Sequence, residues 1–478
     1  LLRPADPYDA AVLSRLATYL RSSAFICGSF LLSSVSTASD TIPAAPQSKP
    51  IALINADIYT ASGDVIRGGV VMFDQGRITY VGENTMRFAA GDNVIDCSGK
   101  RIYPGLIDAW TELGLTEIGA VRATNDQAET GRFNPNVRAE KAVNPDSEIL
   151  PTVRSNGILV ALTAPEGGDV AGQAAVLQLD GWTWEDLTLK GGVGLVVNWP
   201  AMQPARGWWT DENEKQQIKN RDEALKRLDD YFATAKAYAQ ARRAATQPST
   251  RAVGQQAFDA RYEAMIPVLE GKLPLMVNAE ELSQIQAAVA FAKRHGCKLV
   301  IVGGRDAEQA APLLRQHDVP VIIEGVQRMP GRRYSDYDEA FTLPQRLKAA
   351  GVKFAISADR GATDVRNLPY HAATAAAFGL SEPDALKSIT LWPAQILGVA
   401  ERVGSVEVGK DATLIVTDGD VLEEPTHVML AFVQGRKLDL SDRHKRLYEK
   451  YRTKYERQGL IAPAAPASQP ATRPADGR

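Results

Sequence analysis

Apolar and polar positions along the chain fall into regimes with different periods. From Ile51, short apolar runs at Ile51 to Ile54, Val70 to Phe73 and Arg77 to Val81 are separated by turn signals such as Asp74-Gln75-Gly76, which predicts an all-β piece. From about residue 104 the rhythm changes. Strand-length apolar runs at 158–162, 194–197, 275–279, 298–302, 319–323 and 352–357 alternate with segments of helical pattern, including 282–295, 307–317 and 343–350. Repeated strand then helix predicts βαβ units, a parallel sheet and, at this length, an α/β (β/α)8 barrel; a doubly wound open sheet is the alternative.

Three stretches depart from that rhythm. Asp211 to Ala245 is charged and Ala-rich, with Leu225, Leu228, Phe232 and Ala235 near helical spacing, so a helical insertion over about 205–265 is expected, its position over the barrel mouth and its charges a solvated face. Ser441 to Gln458 reads as a basic helix, and the Pro/Ala/Ser-rich tail from Leu460 as disordered. At the other end, Arg21 precedes a short apolar run, Ala24 to Leu32, followed by small residues with Ala38 as a cleavage point. That pattern predicts an export signal and a periplasmic or extracellular protein, with Thr41 to Pro50 as linker. The run is too short to be a mature transmembrane helix. Leu1 is not a start and the first methionine is Met72, so the sequence reads as a fragment or a mis-called start. Cys27 is read as a small apolar residue of the signal, since Ala24-Phe25-Ile26 matches a lipidation box poorly.

Composition narrows the function classes. Across 478 residues, Lys+Arg number 54 against 57 Asp+Glu, a net charge of −3 that gives no argument for nucleic acid. The three cysteines, Cys27, Cys97 and Cys297, fit neither a disulfide framework nor a zinc spacing. Five histidines, His295, His317, His371, His427 and His444, are few for a metallohydrolase, and none pairs at i, i+2 or i, i+4. The Gly167-Gly168-Asp169 run lacks the Gly-Lys-Ser/Thr ending of a phosphate loop and reads as a tight turn. Trp182, Trp184, Trp199, Trp208 and Trp209 invite a ligand-groove reading, with core and loop packing the plainer account.

Pro104 to Gly114 reads Pro-Gly-Leu-Ile-Asp-Ala-Trp-Thr-Glu-Leu-Gly, and near the carboxyl end come Leu391 to Gly398 and Val403 to Val416. These resemble the amidohydrolase superfamily, imidazolonepropionase-like members included, in its first barrel strand and in the segment that returns to complete a small β-sandwich. The resemblance covers roughly 51 to 440 and implies a barrel over 104–402 and a composite sandwich from 51–103 and 403–440. The segment 441–478 is then helix and tail.

The same resemblance implies where a catalytic metal would be held in active relatives, and this chain departs from it. The two strand-one histidines are here Trp110 and Glu112. The strand-four Lys falls at Val196, the strand-five His at Asn278 with Glu280 two residues on, and the strand-six His at Gly303. The strand-eight acid is matched by Asp359. Indole nitrogen only donates hydrogen bonds, and a site stripped of imidazoles cannot acidify water as zinc sites do. No metal and no cofactor are therefore expected. Glu112, Glu280 and Asp359 are expected at the carboxyl-terminal mouth, where they could share a proton, bind a hard cation through oxygen, or pair with Arg305 and Arg360. Trp110 either fills the vacated cavity or floors a ligand site, packing being favoured.

Three functions are left open. One is an inactive or strongly altered homologue that binds a small ligand or, as a partner subunit, an active paralogue, homo-oligomers included. Another is a hydrolase of non-peptide C–N bonds, in cyclic amides or dipeptide-like substrates, with Asp359 as catalytic acid or base. The third is a structural role. The candidate ligand-binding residues are Trp110, Glu112, Asn278, Glu280 and Arg305.

Overall fold

Two eight-stranded sheets organise the described residues of a computed structural model, which are 42–89, 93–205, 210–246 and 257–462. The segment read as an export signal, Cys27, Trp208, Trp209 and the residues beyond 462 lie outside them. The chain opens with β1 (Ile51–Ile58), β2 (Ile66–Asp74), β3 (Arg77–Glu83), β4 (Val94–Asp96) and β5 (Arg101–Pro104). The barrel sheet follows as β6 (Leu106–Thr111), β7 (Ile158–Thr163), β8 (Val170–Gln178), β9 (Thr188–Asn198), β10 (Leu275–Ala279), β11 (Leu299–Gly303), β12 (Val321–Glu324) and β13 (Phe354–Ser357). The last strands, β14 (Leu414–Thr417), β15 (Val428–Val433) and β16 (Arg436–Lys437), return to the first sheet, where β14 pairs antiparallel with β5. Both ends of this stretch thus build one sheet, around a core that includes Leu53, Phe73, Ile102, Leu414 and Phe432.

The barrel runs β6 to β13 in chain order. Successive side chains alternate between two cores, as the strand period requires. Ile107, Val160, Val196, Met276, Val300 and Ile322 face the interior. Leu106, Leu159, Leu195, Val277, Ile301 and Ile323 face the helices. Ladder bonds link each strand to the next, and a side-chain seam joins the first to the last. There the fully buried Asp108 accepts from the hydroxyl of Ser357 and, through Oδ2, from the Ala358 N–H at 3.2 Å, while Ser357 Oγ also donates to Trp110 O at 2.8 Å.

The barrel differs from an all-parallel one at a single strand. β8 runs antiparallel to both β7 and β9. Residues 164–169 are too few for a crossover helix, so the chain turns back on itself, with Gly167 and Gly168 at φ of +82° and +64° in the turn.

The insertion contains a helix over Glu214–Thr246. Phe232 packs edge-on to Phe291 and Asp229 pairs with Arg294 and His295 of the helix Leu282–His295, while Arg227 Nε stands 3.4 Å from Asp169 Oδ2 in the β7–β8 turn, so the helix runs along the barrel and also meets a loop at its mouth. Sheet and barrel are tied together by Asp180, 1% exposed, which pairs with Arg154 at 3.1 Å and with Arg436 of β16 at 3.3 Å.

Candidate functional site

The carboxyl ends of the parallel strands open on one mouth, the functional end of this kind of barrel. Trp110 sits just inside it, fully buried in the interior core with Val196 and Met276. Its indole N–H has no hydrogen-bond partner among the described residues, and the guanidinium carbon of Arg360 lies 5.4 Å from the ring centroid. Asn278 Nδ2 donates to Asn198 Oδ1 at 2.6 Å, and Asn198 Nδ2 donates to Gly168 O at 2.9 Å, so Asn278 is a link in a chain of amides. Gly303 has φ +90°, and a Cβ there would stand 2.6 Å from Glu280 Oε1. The Glu280 carboxylate therefore fills the space that a side chain at 303 would need. It accepts from Arg328 Nη1 at 3.2 Å and from the Arg305 backbone N–H at 3.0 Å.

These residues do not fit a transition metal. An indole fills the interior, a Val offers no donor, an amide offers a carbonyl oxygen in place of an imidazole, and a carboxylate already bonded to arginine covers a glycine. Among the described residues no group of three His, Cys, Asp or Glu side chains is placed to hold a metal ion.

Charge at the mouth is carried instead by arginines and carboxylates. Arg360 donates to Ala164 O and Pro165 O at 3.3 and 3.2 Å, and its Nε stands 3.2 Å from Glu166 Oε1. Glu112 is half-buried at the end of β6, its backbone N–H donating to Arg360 O at 3.1 Å. Burial pushes the Glu112 carboxyl upward, and the nearby Arg360 guanidinium opposes that. Asp359 is exposed on the loop after β13. Arg305 pairs through its side chain with Glu281 at 3.6 Å, so only its backbone meets Glu280.

Two titratable groups at the mouth were not singled out as site residues from the sequence. Glu324 ends β12, and burial pushes its carboxyl up to about 7, with Arg360 opposing and Glu280 and Asp359 adding to the rise. A carboxylate closing the apolar run Val321-Ile322-Ile323 was the available signal. His371 is buried, and its Nδ1 accepts from the Val326 and Gln327 N–H groups at 2.9 and 3.3 Å. Its proton therefore sits on Nε2, and burial holds the ring neutral down to about 4. His371 anchors the loop that follows β12.

Among the described residues, Trp182, Trp184 and Trp199 form no common groove. Trp199, beyond β9, is buried edge-on to Phe291, whereas Trp182 and Trp184 follow the opposite end of β8, Trp182 exposed and Trp184 under the Lys141 ammonium.

Comparison with known proteins agrees with this architecture. The sequence pattern of the amidohydrolase family matches residues 212–438. An imidazolonepropionase of Sphingopyxis alaskensis is 26% identical over 418 residues, spanning 77% of this chain and 92% of its own length. One from Acidiphilium cryptum is 25% identical over 407 residues, spanning 77% and 93%. The crystal structure of an amidohydrolase from Thermotoga maritima superposes with a TM-score of 0.71 at 26% identity, over 81% of this chain and 99% of that one.

Proposed function

Because the chain belongs to the amidohydrolase superfamily, we propose that it is an altered member whose barrel mouth binds a small ligand without a resident metal. The observation that carries this reading is the buried Trp110 indole beneath the Arg360 guanidinium, at 5.4 Å. In this position an organic cation, fixed by Glu166 and two carbonyls, supplies the positive charge of the mouth. Such a cation orients a polar or anionic ligand through directional N–H donors. Glu112, Glu280 and Asn278 add acceptors and a shaped wall to the same ligand site, while Arg305 contributes through its backbone and its pair with Glu281.

Elemental analysis of the protein purified without chelator, followed by thermal melting with added zinc, manganese and calcium, tests this. The expected result is metal at background and no shift in Tm. Near-stoichiometric transition metal in the purified protein would overturn it.

One observation favours a second reading, hydrolysis of a C–N bond in a cyclic amide or dipeptide-like substrate. The Glu324 carboxyl, pushed up to about 7, still carries a proton near neutrality. In this scheme Asp359 takes a proton from water as its oxygen bonds to the carbonyl carbon. Glu324 then gives its proton to the nitrogen as the C–N bond breaks. Turnover of any cyclic amide or dipeptide that is abolished by both Asp359→Asn and Glu324→Gln would establish this reading over the first.

A further inference from the structure

We propose that the opposite, amino-terminal end of the barrel carries a second binding site, for a phosphorylated small molecule with a planar or apolar part. A cavity of about 1060 Å³ opens there, between the amino ends of β11, β12 and β13 and the start of β9. Lys190, Lys272, Lys293, Lys298, Lys348 and Lys353 line it, with Asp318 as the one carboxylate on its wall. On a chain whose net charge is −3, this is a local reversal of sign, and a concave wall of like charges focuses its field on an anion.

The lysines are only partly offset. Lys272 pairs with Glu270, Lys348 with Asp384 and Lys353 with Asp318. Lys190 Nζ donates to Gly398 O at 2.9 Å, close to a glycine whose absent Cβ would stand 2.8 Å from it. Lys293 and Lys298 have no ion-pair partner among the described residues, so two ammonium groups on one rim are left with solvent.

Six lysines and a single carboxylate on the wall suit an anion of high charge. The cavity wall holds no arginine, whereas the mouth is built from Arg305, Arg328 and Arg360. Ammonium groups act as point charges that bind phosphoryl oxygens without the planar geometry a guanidinium fork imposes, although the fork also accepts phosphate. Between the lysines the wall is apolar, formed by Phe354, Val289, Ile396 and Trp392, with Trp392 edge-on to Phe354 at 5.1 Å. That surface suits the rest of a ligand that is planar or apolar. Cys297 also lines the cavity as a free thiol, which supplies a built-in reporter of occupancy.

The test is calorimetric titration of the full chain at low salt with inorganic pyrophosphate, ADP and adenosine, alongside peptide-resolved alkylation of Cys297. Pyrophosphate and ADP are expected to bind at one site, ADP more tightly, and to slow alkylation of Cys297, whereas adenosine does not bind. The pair Lys293→Gln/Lys298→Gln should weaken both anions by about tenfold or more, since each loses a charge-assisted hydrogen bond, with Tm unchanged. Lys450→Gln/Lys454→Gln, on the exposed helix Arg443–Arg457, should leave binding as it was. Anion binding that survives the first pair, falls equally in the second, or leaves Cys297 as reactive as before would overturn the proposal. So would failure of both anions to bind, or adenosine binding as tightly as ADP. Metal analysis at the mouth is independent of all these readouts.

Discussion

Glu324 shows how a single carboxyl couples the mouth to pH. Its ordinary value of 4.5 is raised to about 7 by burial, so between those values the folded chain holds a proton that the unfolded chain has released. Stability from this group is fully present below about pH 4.5 and is lost as pH rises through about 7. Glutamine cannot titrate. The Tm of Glu324→Gln relative to the parent is therefore expected to climb between pH 5 and pH 8, measured by thermal melts in matched buffers. A difference that stays constant with pH would show that the carboxyl is not held protonated. His371, held neutral down to about 4, has the opposite sign and is present in both proteins, so it cancels in the comparison.

At the scale of elements, β10 and β11 exchange what their ends would otherwise carry. Glu280, just past β10, leans over Gly303 at the end of β11, and the glycine both lacks a Cβ and holds φ +90°. Gly303→Ala is expected to destabilise through backbone strain and through the clash with Glu280, by roughly 1–3 kcal/mol. Combining it with Glu280→Ala should recover the clash and leave the strain, so a double-mutant cycle read by urea unfolding should give a favourable coupling. Additive effects would mean that the carboxylate does not occupy that space. The reversal of β8 is an element-scale feature of the same kind. A six-residue link leaves room for a turn and none for a helix, so the strand direction follows from the length of the connection.

For the whole molecule, the joint between sheet and barrel depends on Asp180, flanked by Arg154 and Arg436. Arg154 precedes β7 in the barrel and Arg436 lies in β16, so the carboxylate bridges segments far apart in the chain. Asp180→Ala would leave two guanidinium groups unpaired at a buried junction, with an expected loss of about 3–5 kcal/mol in unfolding free energy. Urea denaturation followed by tryptophan fluorescence would measure it, and a loss under about 1 kcal/mol would mean the pair is screened like a surface bridge.

The barrel and its companion sheet were legible in the chain because hydrophobic periodicity reports burial directly: a strand such as Leu275–Ala279 or Leu299–Gly303 must be apolar to lie between two cores. That positions 110, 112, 196, 278 and 303 carry no imidazole was equally legible, since side-chain identity is a property of the residue alone. What surrounds those positions was not. That Arg360 covers Trp110, that Glu280 fills the space above Gly303, that Glu324 holds a proton near neutrality and that six lysines line one cavity at the far end of the barrel are all relations between residues distant in sequence. The same holds for the insertion helix, which the sequence announced as a helix but whose neighbours, Phe291 and Arg294 of another helix and Asp169 of the β7–β8 turn, are distant in the chain. Local pattern determines which residues must be buried and which can do chemistry; only the packed fold determines which of them meet, because contact, desolvation and charge coupling depend on distance in space.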